Sequence, residues 1–392
     1  MLLQSLRVRS FRAHTDTSVA WATGVNVIWG PNGAGKTNLL EAIHYVCLTQ
    51  SFLVHNDRYA LRKDAPHFEV EGTFAGVRRQ PMTVRLVYMP SEGKQVFVNG
   101  APLERLADLV GQLPVVVFSP DDYELTAGGP DERRRFLNNI LSQARPVYMN
   151  DVMQYNRARR QRNELLRQYK KRPSSPPPDV LDPWTDKVVT LGSRVIQRRA
   201  QFLDAFAAYL DEAHAHIGQA TERPSFTYDT VGDLPDAPTT DDVETAFRET
   251  LARRWEAEQS RGTTLAGPQR DDITFRLDGL EVRRYGSQGQ HRTVGMVLKL
   301  AQYLYLRDQL DTAPLLLLDD AFGKLDSTRT AAFLELLQSD VVGQSFITTT
   351  DVAPFRAHLS FDAPPHQAIH VARDSSGARV SSDVVATAPD SA

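Results

Sequence analysis

The sequence predicts a mixed α/β domain interrupted by an arm of helices, and three stretches of the 392-residue chain carry that prediction. A strand pattern at Gly24–Trp29 runs into a glycine-rich turn and then into an apolar helical stretch, Asn38–Leu48. Far downstream, Leu315–Leu318 form an aliphatic run ending in Asp319-Asp320, the pattern of a buried strand that stops at a charged site. Between the two, beyond Pro130, the texture changes to helical periodicity rich in Arg, Gln and Leu.

The remaining elements follow in chain order. Strands are expected at Leu2–Phe11, Phe68–Phe74, Met82–Tyr88 and Gln95–Val98, with a hairpin-type Asn99-Gly100 turn, and a buried strand at Leu113–Phe118. The helical arm must break at Pro173–Pro178. Thr221–Asp242, rich in Pro, Asp and Thr, reads as a loop before a helix at Val243–Glu258. Strand texture returns at Ile273–Leu277 and Leu280–Tyr285, followed by a helix after Gln290, a helix near Ala331–Leu337 and a strand at Ser345–Thr349. The expected organisation is one head in two segments, 1–122 and 259–373, around an all-helical arm, 123–258. The tail, 374–392, has little to bury and reads as disordered.

Composition excludes several classes. The 41% apolar content suits a globular core, and no stretch reaches the roughly 18 apolar residues of a membrane span. Cys47 is the only cysteine, so an intrachain disulfide and a cysteine zinc site are ruled out, and its apolar neighbours mark it as a buried small hydrophobe. No secretion signal is seen at Met1–Arg9, and a cytoplasmic protein is expected.

Gly30-Pro31-Asn32-Gly33-Ala34-Gly35-Lys36-Thr37 fits the phosphate-loop pattern, whose glycines let backbone amides approach the β- and γ-phosphates at a helix N-terminus. The flanking strand and helix argue against a chance glycine turn. Lys36 is placed to reach the terminal phosphates, Thr37 to ligate Mg²⁺, and Asn38 to complete the first turn of an ATP site. Asp319 is the expected metal-side carboxylate, and Asp320 the residue that orients or deprotonates the attacking water.

Gly286-Ser287-Gln288-Gly289-Gln290-His291-Arg292 precedes the next helix and resembles the signature of ATP-binding-cassette (ABC) ATPases. The resemblance implies that Ser287, Gly289 and Gln290 contact the γ-phosphate held by a second copy of the chain, so that ATP joins two heads. A Ser hydroxyl, glycine amides and a helix dipole supply the chemistry of such an anion site. Gly323-Lys324-Leu325-Asp326 resembles the loop that follows in the same ATPases. Gln288 stands where transporters usually carry Gly, and Thr350-Asp351 where they usually carry His, so slow hydrolysis is expected.

Several stretches resemble the RecF family more specifically: Phe11-Arg12, the run Gly30–Ile43, Phe118–Asp122, Gly128–Pro130, Arg134–Leu137, Gly267–Asp272 and Gly286–Arg292. One departure is Gln269, where that family's pattern has His. The resemblance, which runs to about Thr350, implies an ABC-type head like those of chromosome-structuring proteins, interrupted by a short helical arm. It implies ATP-dependent dimerisation on double-stranded, gapped or junction DNA, with RecO and RecR as partners in placing RecA.

From Arg133 to Arg172 there are twelve Lys or Arg against two acids, in a chain of formal net charge −3. Such an arm can hold phosphates without reading sequence, with Arg157, Arg159, Arg160 and Arg162 as candidate DNA contacts. Arg12 is a candidate for either ATP or DNA. The main alternative is the soluble ATPase subunit of a membrane transporter, which normally has a much shorter segment than the more than two hundred residues found here between phosphate loop and signature. A nuclease with an ATPase head would need clustered metal ligands, and the ten His form no metal-spaced group.

Overall fold

The computed structural model describes residues 1–77, 80–170, 177–217, 222–322, 327–375 and 377–382. It divides into two compact units. The first comprises Met1–Asp121, Ala215–Gln219 and the chain from Gln302 onward; the second comprises Asp122–His214 and Ala220–Ala301. The second unit therefore takes in residues 259–301, which the sequence grouped with the head.

Two six-stranded sheets build the first unit. In one, Val115–Phe118, Leu315–Asp319, Ser345–Thr349, Val25–Trp29 and Gln367–Asp374 lie side by side and parallel, and Gly377–Ser382 closes the edge as an antiparallel hairpin partner. The other is antiparallel, with Leu2–Phe11 between His14–Ala20 and Phe68–Val77, continuing through Gln80–Met89 and Gly93–Val98. The Lys36–Leu48 helix packs against strands of both sheets. Every residue from Leu39 to Leu48 is buried; most are apolar, and the two polar ones are paired, Glu41 with Arg12 and His44 with the Gln50 carbonyl. Cys47 lies in that core, and burial pushes its thiol pKa up, in keeping with an inert hydrophobe.

The second unit is built on the helices Pro130–Ala144, Pro146–Lys170, Pro178–Ile217 and Thr240–Arg261. Its core gathers Tyr155, Val188, Val189, Ile196, Phe247 and Leu251. One helix ends at Lys170 and the next begins at Pro178, a position where proline's fixed φ and missing N–H suit a helix start. Most of the expected elbow, 173–176, lies outside the described residues.

Three expectations need correction. Thr221–Asp242 is not all loop: Pro224–Asp229 is a strand paired with Asp272–Leu277, so the arm is not purely helical. Leu280–Tyr285 gives only a two-residue strand, Leu280–Glu281, before Val282–Tyr285 turns helical. The tail contributes Gly377–Ser382 to the first unit's sheet, where Ala378 N–H donates to the Ala13 carbonyl at 2.9 Å. Residues 383–392 lie outside the described residues.

Candidate nucleotide site

The phosphate loop is shaped by three left-handed glycines, Gly30 (φ 146°), Gly33 (φ 77°) and Gly35 (φ 110°). Gly30 is required twice over, because a Cβ there would lie 2.1 Å from the Val371 carbonyl oxygen. Gly35 is the N-cap of the Lys36–Leu48 helix and brings no side-chain cap. The first helical amides are thus left for an anion, reinforced by the helix dipole. Lys36 folds over the loop, its Nζ donating to the carbonyls of Gly30 (2.8 Å) and Pro31 (2.9 Å). Burial lowers its pKa, and the charges of Asp320 and Asp319 oppose that shift.

Asp319 ends the buried strand beside the loop. Its Oδ1 accepts from Thr37 Oγ1 and from Thr348 Oγ1, each at 2.7 Å. Burial raises the Asp319 pKa; the two hydroxyls and Lys36 pull it down, and Asp320 adds to the rise. A hydroxyl and a carboxylate oxygen side by side are the hard donors Mg²⁺ takes in such sites, so these residues fit the ion. Asp320 is exposed, with φ 48°, and its N–H is held by Thr348 Oγ1 at 3.0 Å.

A cleft of about 580 Å³ opens here. It brings Asn32, Gly33, Gly35, Lys36, Thr37 and Asn38 together with Asp319 and Asp320; Gly30 and Ala34 are buried and do not line it. The cleft also gathers residues that the sequence reading left undecided or missed. Arg12 lines it, held by a bidentate pair to the fully buried Glu41 at 2.7 and 2.8 Å. Arg373 reaches it from the Gln367–Asp374 strand, Nη1 donating to the Gly33 carbonyl at 3.3 Å. The alternating apolar residues Ile369 and Val371 were the available signal for that strand.

In the second unit, the Ser287 turn is a reciprocal cap on the Gln288–Leu310 helix. Ser287 N–H donates to Gln290 Oε1 at 2.7 Å, and Gln290 N–H donates to Ser287 Oγ at 3.3 Å. Gln290 Nε2 also donates to Glu222 at 2.7 Å, so its side chain is occupied at both ends within its own chain, while Ser287 and Gly289 stand exposed. Behind the turn, His291 is buried, with Nδ1 2.7 Å from Thr126 Oγ1. Gly323–Asp326 lie outside the described residues.

The candidate DNA contacts divide. Arg157 and Arg160 are exposed and Arg159 is partly buried. Arg162 must be withdrawn from that set. It is 2% exposed, paired with Glu258 at 2.7 Å and bonded to Thr185 and Thr264, so no guanidinium edge is left for a phosphate. Gln269 now has a place: its Oε1 accepts from the Tyr155 hydroxyl and its Nε2 donates to the Ala266 carbonyl at 2.8 Å.

Among the described residues no helix is long and apolar enough to cross a membrane, and no group of three or more His, Cys, Asp or Glu is placed to hold a metal ion. The chain matches the RecF/RecN/SMC N-terminal domain family over residues 2–360. It is 61% identical over 383 residues to the DNA replication and repair protein RecF of Salinibacter ruber (strain DSM 13855 / M31), covering 98% of this chain and 93% of that protein. To the DNA replication and repair protein RecF of Bacillus subtilis (strain 168) it is 34% identical over 356 residues, 90% of this chain and 94% of that one. A solved structure of the recombination mediator protein RecF with ATP, in the RecFOR pathway, superposes with a TM-score of 0.87 at 27% identity, covering 97% of each chain. An Smc head bound to the C-terminal winged-helix domain of ScpA gives a TM-score of 0.55 at 14% identity over 98% of each chain, a likeness of fold alone. None of these relatives is the transporter subunit kept as the alternative. The ABC-type ATPase fold and the matches along nearly the whole length place this chain in the RecF family.

Proposed function

We propose that this chain is an ATP-gated DNA-binding protein of recombinational gap repair. It binds Mg-ATP at the Lys36 loop, pairs with a second copy through the exposed Ser287 turn, and holds double-stranded DNA at gaps and junctions. There it works in the cytoplasm with RecO and RecR to help load RecA. The observation that carries the reading is the meeting of Lys36, Thr37 and Asp319 at an uncapped helix N-terminus.

Lys36 and the loop amides bind the β- and γ-phosphates. Mg²⁺, when bound, would be held by the Thr37 hydroxyl and the Asp319 carboxylate and would offset phosphate charge. Asp320, exposed at the mouth of the strand, orients the attacking water and takes its proton. Ser287 and Gly289 offer a hydroxyl and an amide to the γ-phosphate of the other copy, and Gln290 holds the Ser287 turn in position. Hydrolysis, slow in this scheme, removes the γ-phosphate that joins the copies and so releases the DNA.

The test is fluorescence anisotropy of a labelled gapped duplex titrated in ATP, ADP and no nucleotide, with the mass of the complex measured in parallel. Tight binding confined to ATP, at the mass of two chains, is expected. Binding of equal strength in all three conditions, or by a single chain, rules out the gate. Ser287→Arg should bind ATP normally and stay monomeric; a Ser287→Arg dimer in ATP removes the shared-site scheme.

A further inference from the structure

We propose that Arg159, Arg160 and Arg270, backed by Arg134, form a built phosphate site for a nucleic-acid backbone on the second unit. The proposal rests on the DNA-binding reading above and gives it a location.

Arginines of this unit differ in whether they are already paired. Arg133, Arg134, Arg135, Arg162, Arg198 and Arg199 each have a carboxylate partner within their own unit. Arg159, Arg160 and Arg270 have none among the described residues. Arg159 is the most telling of these, since it is partly buried and its Nε is shut off from solvent with no hydrogen-bond partner. Its terminal nitrogens are not among the shielded atoms, so an incoming anion can reach the guanidinium there and offset the charge left without an acceptor at Nε.

Hydrogen bonds fix the convergence. Tyr155, one turn before Arg159 on the Pro146–Lys170 helix, bonds Gln269 through its hydroxyl. Arg134, on the Pro130–Ala144 helix, donates through Nη1 to the Asp271 carbonyl at 2.6 Å. The 269–271 segment is therefore tied to both helices, and Arg270, exposed at its centre, is held near enough to Arg159 for its charge to act there, as those of Arg134 and Arg160 do. Burial lowers the Arg159 pKa and the positive charges of Arg270, Arg160 and Arg134 push it the same way, with Tyr155 opposing them. The carboxylates nearby are already taken: Asp271 pairs with Arg199, Asp272 with Arg133 and Glu132 with Arg135, and the exposed Asp131 is bonded to Arg134 at 2.6 Å and held acidic by Arg134, Arg135 and Arg270.

A phosphodiester suits this set because its two free oxygens match the guanidinium fork, and the remaining arginines can take the neighbouring phosphate. Arg160 and Arg270 are solvent-facing, so an extended polyanion can reach the site from outside, and no base-reading group is required.

The test compares Arg159→Gln and Arg270→Gln with Arg145→Gln, which removes the same charge from an exposed position after the Pro130–Ala144 helix. Gapped-duplex binding is measured in ATP between about 50 and 200 mM salt. Each site variant should weaken binding by about fivefold or more and flatten the slope of log affinity against log salt by about one, with Arg145→Gln within about twofold of wild type. Equal losses in all three variants, or none in the site pair while wild type binds, overturn the proposal. Thermal stability in inorganic phosphate separates this site from the broader DNA reading. With the Lys36 loop saturated by Mg-ATP, added phosphate should raise the wild-type Tm further and leave that of Arg159→Gln unchanged. If wild type binds no duplex in any nucleotide, the DNA reading itself has failed. A phosphate response with undiminished DNA affinity in the variants means the site serves another anion, such as a partner protein's carboxylate, and overturns the nucleic-acid assignment.

Discussion

Thr37 Oγ1 donates to Asp319 Oδ1 across 2.7 Å, joining residues 282 positions apart in the chain. The bond forms because Val25–Trp29, the strand that leads into the loop and helix carrying Thr37, shares one sheet with the Leu315–Asp319 strand, with Ser345–Thr349 between them. It places a hydroxyl and a carboxylate together where a hard cation needs both. Asp319→Asn should therefore weaken ATP binding in Mg²⁺ by about 10- to 100-fold and leave binding in EDTA nearly unchanged. Asp320→Asn should bind Mg-ATP with wild-type affinity, hydrolyse it at least tenfold more slowly, and hold the dimer longer. Equilibrium binding of a fluorescent ATP analogue with and without Mg²⁺, beside single-turnover hydrolysis, separates the two roles.

Arg373 offers its guanidinium to the same cleft from a strand that the sequence reading did not anticipate. Its bond to the Gly33 carbonyl is replaceable, but its charge at the loop is not. Arg373→Ala should cost about three- to tenfold in ATP affinity, the range of one partly exposed charge-assisted hydrogen bond. Arg373→Lys should recover part of that loss. The Tm without nucleotide should stay within about 1 °C of wild type, because the side chain is exposed.

His291 gives the signature region a pH dependence. Burial lowers its pKa from the ordinary value of about 6.5. The unfolded chain then takes up the proton before the folded one does. His291 contributes stability that is present above about pH 6.5 and lost as the pH falls toward its lowered folded value. His291→Gln, which keeps a group able to bond Thr126, should show a shallower fall in Tm between pH 7.5 and 5.5 than wild type. His14 and His366 are shifted the same way and remain in the variant, so the difference between the two profiles isolates His291.

The sequence revealed what local pattern encodes. The strand, loop and helix around Lys36 need particular backbone conformations, which glycine at 30, 33 and 35 makes visible. The Leu315–Asp319 strand is buried on both faces and shows as an unbroken apolar run. Other elements depend on distant partners. Gly377–Ser382 carries too little apolar surface to announce a strand, and it is held by Ala13 and by pairing with Gln367–Asp374. Phe226 and Tyr228 alternate as a strand should, but the surrounding Pro, Asp and Thr obscured that signal until Asp272–Leu277 was seen beside it. Arg162 looked like its neighbours Arg159 and Arg160 because the carboxylate that claims it, Glu258, is 96 residues away.

That pairing gives the last prediction. Arg162 is 2% exposed and Glu258 is fully buried, and Glu258 also accepts the Leu265 N–H at 2.6 Å. Removing the guanidinium strands a charge in the interior, a change that costs about 3–5 kcal/mol when one partner of a buried pair is lost. Arg162→Met should therefore lower the denaturation midpoint of the chain sharply. The double variant Arg162→Met with Glu258→Gln should regain much of the loss, because no uncompensated charge remains. At a temperature where Arg162→Met is still folded, its affinity for gapped duplex should stay within about twofold of wild type, in contrast to Arg159→Gln. A large affinity loss in a folded Arg162→Met protein would return Arg162 to the DNA-contacting set and mean that the buried pair opens when DNA binds.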